Sequence, residues 1–349
     1  MRPARAGSVV GVTAAAVALT LTGGCSGGAS TGASSGTPSP GARSSTSASA
    51  HATGQSPTPA TARPGPPRLT STVLGWHLPA PLSRGVAMVE GPRILLAGGL
   101  GPGDRSTDQV LTIDPQRGVV DAAGRLAVPL HDSAGAVLAG RPTVVGGGGA
   151  TELSDVQSAD RHGHWQVVGH LPGARSDLSV VKVGGRALVI GGYDGAATPP
   201  GVLATTDGRT FRRVADLPSG LRYSGVARAH GAVWILGGEV DGHELDEVLR
   251  LDPRTGQVRR VGRLPRALGH EAVVPVGHRL LVMGGRTSPD AATDQMWWYS
   301  PRTGSWTRAG TLPYPVADAP WVSDGAAAYL FGGETPDFTA RVTRVGWQR

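Results

Sequence analysis

The sequence predicts an all-β fold, a six-bladed β-propeller closed by its own N-terminal strand and preceded by a disordered linker. Three observations carry that prediction. An apolar run ending in two glycines recurs six times, as in "LLAGG" at 95–99 and "LVMGG" at 281–285, and the first glycines (Gly98, Gly146, Gly191, Gly237, Gly284, Gly332) follow one another at steps of 48, 45, 46, 47 and 48 residues. Each unit holds four strand-length apolar stretches separated by turn residues, and a period in the forties with four strands per unit is the pattern of a propeller. Finally, 54 glycines and 28 prolines in 349 residues favour many short strands and dense turns over helices.

From the N-terminus, residues 1–24 have the layout of a secretory signal: Arg2 and Arg5, an apolar run from Val9 to Leu21, then small residues. The run of about 13 residues is too short to span a bilayer comfortably. Export is therefore expected. The signal ends at Cys25, the single cysteine of the chain, in "LTGGCSGG". This resembles the lipobox of bacterial lipoproteins, with Gly23 and Gly24 in place, Thr22 where the lipobox has its leucine, and Leu21 one position further out. The resemblance implies a lipid on the Cys25 sulfur and a protein held at the outer face of the plasma membrane; without that lipid it would be secreted. A lone cysteine also rules out an intrachain disulfide. Residues 25–66 are almost entirely Ser, Thr, Gly, Ala and Pro, a composition that cannot offset its ordering entropy by burial, and they are expected to form a disordered tether.

The domain proper is assigned to 67–349. Blade four shows the unit well, with "SGVARA", "AVWILGG", "EVLRLDPRTGQV" and "RRVGRLP" in succession. The turn between the last two strands recurs as "DPQRGVV" at 114–120, "DPRTGQV" at 252–258 and "SPRTGSW" at 300–306, with proline presetting φ and glycine supplying a positive φ. The five complete units end at Pro129, Pro172, Pro218, Pro265 and Pro313. The sixth runs out after "RVTRVGWQR", its third strand, whereas "VLGWHLPAP" at 73–81 copies the end of a unit, with Trp76, Leu78 and Pro79 standing as Trp165, Leu171 and Pro172 do. The N-terminal strand therefore completes the last blade and removes two exposed sheet edges.

The glycine pairs, the later aromatic (Trp165, Phe211, Trp306) and the unit length resemble kelch repeats over 67–349, with Val119 and Val258 departing at the aromatic place. The resemblance implies that the loops after the glycine pairs and those entering the innermost strands meet on one rim of a central channel. The residues after the pairs are Leu100, Gly148, Tyr193, Glu239, Arg286 and Glu334. Those before the innermost strands are Arg84, Ser133, Asp177, Tyr223, His270 and Asp318, with Asp132, Arg175, Arg222 and Glu271 nearby. Arginines as bidentate donors and carboxylates as acceptors would suit an anionic or polyhydroxylated ligand.

Two motifs invite other readings. "HGH" at 162–164 offers too few ligands for a metal and falls in a strand-connecting turn. "TTDGRTF" at 205–211 resembles the Asp-box of sialidase-like propellers but occurs once, where Asp207 is expected to cap the turn and Phe211 to pack between blades. No cofactor is expected: the copper-radical chemistry of galactose oxidase, which also carries a kelch-type propeller, needs a cysteine crosslinked to tyrosine, and Cys25 lies outside the propeller. Of the 33 basic residues, four fall in 1–66 with no acid, leaving 29 against 26 acids, and without a basic block nucleic-acid binding is not expected. The reading that emerges is a recognition module for a protein or glycan of the cell envelope, touching the membrane through its lipid alone. The alternative is a sugar epimerase or mutarotase, as in the kelch-type family acting on sialic acid, with Glu239, His270 and Glu271 as its acid and base.

Overall fold

The computed structural model describes residues 65–348, and the expected signal, Cys25 and nearly all of the linker lie outside them. Among the described residues every regular element is a strand. Six antiparallel sheets follow the repeats. Blade one has strands Val86–Glu90, Arg93–Ala97, Arg105–Asp114 and Val119–Leu130; blade four has Gly225–Ala229, Ala232–Leu236, Glu247–Leu251 and Val258–Arg263. Blade six is built from Trp321–Ser323, Ala327–Phe331 and Arg341–Gln348, and its outermost strand is Arg68–His77, paired antiparallel as Arg68 with Gln348 and Val73 with Thr343. The closure expected from "VLGWHLPAP" is realised.

Burial follows strand position. Second strands are buried on both faces, as at Ala232–Leu236, because a blade packs against two neighbours. Outermost strands keep only part of their side chains covered, as at Val258–Arg263. The core is accordingly a series of interblade layers. One joins Leu188, Ile190 and Val202 of blade three to Val233, Ile235 and Leu249 of blade four. Another joins Tyr329, Phe331 and Val342 of blade six to Ile94, Leu96 and Ile113 of blade one, so the ring closes through apolar packing as well as strand pairing. Each such side chain contributes about 1.5–3 kcal/mol by leaving water.

The glycine pairs make these interblade contacts possible. At Gly237 and Gly238 (φ 53° and 103°) the backbone turns so that the Gly238 N–H donates to the Leu268 carbonyl of the next blade at 2.9 Å. A Cβ on Gly237 would lie 2.0 Å from that carbonyl oxygen, and one on Gly238 would lie 2.7 Å from the Arg222 carbonyl oxygen. Only glycine fits both positions. The same donation is made by the second glycine of every pair, ending with Gly333 to Leu82 across the closure.

The aromatic places behave as the repeats require. Trp165 is buried between blades one and two, Phe211 packs between blades two and three, and the Trp306 indole N–H donates to the Arg263 carbonyl at 2.8 Å. At the departing positions Val119 is exposed and Val258 is half-buried. The Asp207 carboxylate accepts from the Arg209 and Thr210 amides, capping its turn, and Asp160 does the same for the His162 and His164 amides.

Candidate functional site

Immediately before each innermost strand stands a residue with a left-handed backbone: Arg84, Asp132, Asp177, Tyr223, His270 and Asp318, with φ between 48° and 60°. Non-glycine residues rarely adopt this conformation, and here a shared hydrogen-bond pattern holds all six. The Asp132 N–H donates to the Arg84 carbonyl, Asp177 to Asp132, Tyr223 to Asp177, His270 to Tyr223, Asp318 to His270 and Arg84 to Asp318, at 2.7–3.4 Å. This closed circle of backbone hydrogen bonds turns six side chains onto the channel axis, where they line a cavity of about 350 Å³. In blade two the member of the circle is Asp132. Ser133, expected at that place, lies one residue further along the chain, just before the strand Ala134–Leu138.

Arg175 leaves the rim. It occupies the position held by Leu82, Leu130, Leu221, Leu268 and Val316 in the other blades, is buried, and donates to the Gly191 and Gly201 carbonyls at 3.2 and 2.9 Å. Tyr193, Glu239, Arg286 and Glu334 form an outer tier. Each follows a glycine pair and makes a backbone bridge to the residue before the circle, as Glu239 does to Arg222. In blades one and two the corresponding Leu100 and Gly148 offer no polar side chain, so the outer tier is polar only from blade three to blade six.

The charged groups at the rim are engaged with one another. Arg84 donates to Glu334 at 2.7 Å, Asp132 at 3.0 Å and the Tyr223 hydroxyl at 3.0 Å. Arg222 holds Glu239 at 3.0 Å and Asp177 at 3.2 Å, and its guanidinium lies over the Tyr193 ring. Arg286 binds Asp318 at 3.1 Å and also Glu334. The His270 ring stacks on Tyr223 at 3.8 Å and sits between Asp318 at 2.6 Å and Glu239 at 3.4 Å.

Protonation follows from this crowding. Burial works against a charged His270, but the adjacent Asp318 outweighs it and raises the imidazole to about 9. Asp318 is itself buried, yet His270 and Arg84 hold it well below the usual carboxylate range. The hydrogen bond from His270 brings Glu239 down to about 2 against its partial burial, with Arg222 adding to the effect. Asp132, buried and facing Asp177 and Asp318 with only a share of Arg84, rises to about 7. Three arginines and His270 therefore face five carboxylates, and the surplus acid is accommodated by a proton.

One tier below, the groups are unpaired. Glu271 is buried against blade four; its Oε1 accepts from the Gly225 amide at 3.0 Å, and its Oε2 has no hydrogen-bond partner among the described residues. The Ser133 and Ser224 hydroxyls, each also directly following a residue of the circle, are likewise buried and unpartnered. All three line the same cavity. Burial pushes the Glu271 carboxyl up to about 7.

Sequence comparison matches the Kelch motif at residues 272–313, the fifth unit, and the other five units reproduce its four strands and glycine pair. This is a kelch-type propeller. No curated protein shows significant sequence similarity to it. Among solved structures, that of YjhT matches with a TM-score of 0.67 at 16% identity, covering 78% of this chain and 99% of YjhT, a likeness of fold. Within this kelch-type propeller the cavity at the channel mouth is the place where unpaired polar groups from several blades meet.

Proposed function

We propose that the chain is an exported, lipid-anchored binding module that holds a polyhydroxylated glycan unit in the mouth of its channel. The observation that supports this most directly is the trio of buried, unpartnered polar atoms on Ser133, Ser224 and Glu271 in one cavity. A buried donor or acceptor left without a partner costs about 1–3 kcal/mol, which ligand hydroxyls at the right places would recover. A volume of about 350 Å³ lies at the small end of the range for small-molecule sites, favouring a sugar unit over a protein loop. Of the two ligand classes expected from the rim residues, the polyhydroxylated one is the better supported: every rim arginine already holds carboxylates, so an acidic sugar would meet a surplus of acid.

The test is calorimetry of residues 65–349 with neutral, amino and acidic sugars. Neutral or amino sugars should bind, with affinity falling about tenfold or more in Glu271→Ala and Ser224→Ala; tightest binding by acidic sugars would refute the reading. For the anchor, Cys25→Ser should move the full chain from the membrane fraction to the soluble one when membranes are washed at about 1 M salt, which removes charge-based binding.

A second reading, acid–base catalysis on the bound sugar, has one specific support. A carboxyl near 7 exchanges its proton readily at neutral pH, whereas Glu239 and His270 are both locked in their charged forms. Of the three expected actors, Glu271 alone suits proton transfer. Anomer exchange that is lost in Glu271→Gln while sugar binding persists would establish it.

A further inference from the structure

The two ends of the propeller carry opposite charge. Each blade's strands run alternately toward and away from the mouth, so the loops between second and third strands and those between blades lie at the mouth. The hairpins between first and second strands and the turns between third and fourth lie at the far end. Counted from the last residue of one strand to the first of the next, the mouth segments hold 8 basic and 18 acidic residues, and the far segments, with Arg68, hold 11 basic and 6 acidic. Strands of five residues separate the two ends by roughly 17 Å, about twice the Debye length at physiological salt, so a partner senses one end at a time.

We propose that the far end docks on a bilayer surface carrying anionic phospholipid headgroups. Its cations are spread over five blades: Arg93 of blade one and Arg141 of blade two share a cleft between those blades, Arg209, Arg254 and Arg302 belong to blades three, four and five, and all five are exposed. Such a distribution suits a flat surface of phosphates. The acids at this end are partly engaged by their own turns, as Asp252 is by the Arg254 amide. The described chain also enters the ring at this end, at Gly65–Arg68. A membrane as occupant rests in part on the anchoring reading above; the charged surface itself does not.

The experiment is co-sedimentation of residues 65–349, a closed ring with its own core, with vesicles of phosphatidylcholine alone or with about one-third phosphatidylglycerol. Each basic residue near an anionic surface is worth about fivefold in partitioning. Binding should be at least tenfold stronger to the anionic vesicles, disappear in about 1 M salt, and fall at least tenfold in Arg254→Glu/Arg302→Glu. The matched pair Arg105→Glu/Arg266→Glu, the same charge change on exposed mouth-end residues, should bind like the parent. Equal binding to both vesicles, or equal loss in both pairs, would overturn the proposal. So would a DNA duplex that binds the protein and releases it from vesicles, since the face would then be a site for soluble polyanions. Because this fragment lacks Cys25, its outcome is independent of whether Cys25→Ser releases the full chain from membranes.

Discussion

The mouth and the far end are built from the two ends of the same strands, yet they satisfy their backbone groups in opposite ways. At the mouth the hydrogen bonds run from blade to blade: Gly238 to Leu268, the circle from Arg84 round to Asp318, and Arg84 to Glu334 across the closure. At the far end the turn amides are capped locally, as where Asp252 accepts from the Arg254 and Thr255 amides, and the contacts between blades come from side chains, as where Arg186 donates to the Pro253 carbonyl. The mouth therefore holds the ring together, and the far end is free to carry whatever charge its surroundings select. Mutations should cost much more at the mouth.

The largest effect is expected from removing the closing strand. Deleting 65–80 leaves Arg341–Gln348 and the apolar layer between blades six and one uncovered, and the product should show no cooperative thermal transition; one that melts like the parent would break the closure argument. Next, Gly237→Ala places a methyl on the Leu268 carbonyl and should cost about 3 kcal/mol or more by denaturant unfolding. Arg84→Met leaves the buried Asp132 without its guanidinium partner and removes one of the partners of Asp318 and Glu334, which keep Arg286, and a loss of about 3 kcal/mol is expected.

A pH titration sharpens the contrast within the mouth itself. Glu271 rises from 4.5 to about 7 and His270 from 6.5 to about 9, so for both the folded state binds the proton more tightly. Their contribution is fully present below the unfolded values and is lost as pH rises through the folded ones. The melting temperature should fall between about pH 5 and 9, with Asp132 adding to the lower part of that fall, and Glu271→Gln should remove the share that Glu271 carries, gaining of order 2–3 kcal/mol over the parent at pH 8. The smallest effect belongs to the far end: Asp252→Ala should unfold close to the parent in denaturant, and a loss matching that of Gly237→Ala would end the comparison.

Much of this was legible in the sequence. The glycine pairs and the Leu-Pro ends gave the blade number, the strands and the closure, because they mark backbone positions where one residue type alone fits. The rim was legible as a neighbourhood and less so residue by residue, since polar side chains do not announce a left-handed backbone. A usable signal exists nonetheless. Arg84, Asp132, Asp177, Tyr223, His270 and Asp318 each stand fourteen residues before the first glycine of their unit. That count selects Asp132 over Ser133 and places Arg175 two residues earlier, where the other blades bury leucine or valine. The unpaired tier of Ser133, Ser224 and Glu271 and the opposed charges of the two ends emerge only when the blades are set round a common axis.

The constant fourteen-residue offset has an evolutionary consequence. The unit length varies from 45 to 48, and all of that variation falls outside the stretch between the circle and the glycine pair. Insertions are excluded from the inner half of a blade and tolerated in the loop that follows the pair, which in blades four and five already forms small hairpins at Glu239–Glu244 and Arg286–Ala292. New specificity can therefore be grafted onto the mouth by lengthening those loops, one blade at a time, without rethreading the ring that supports them.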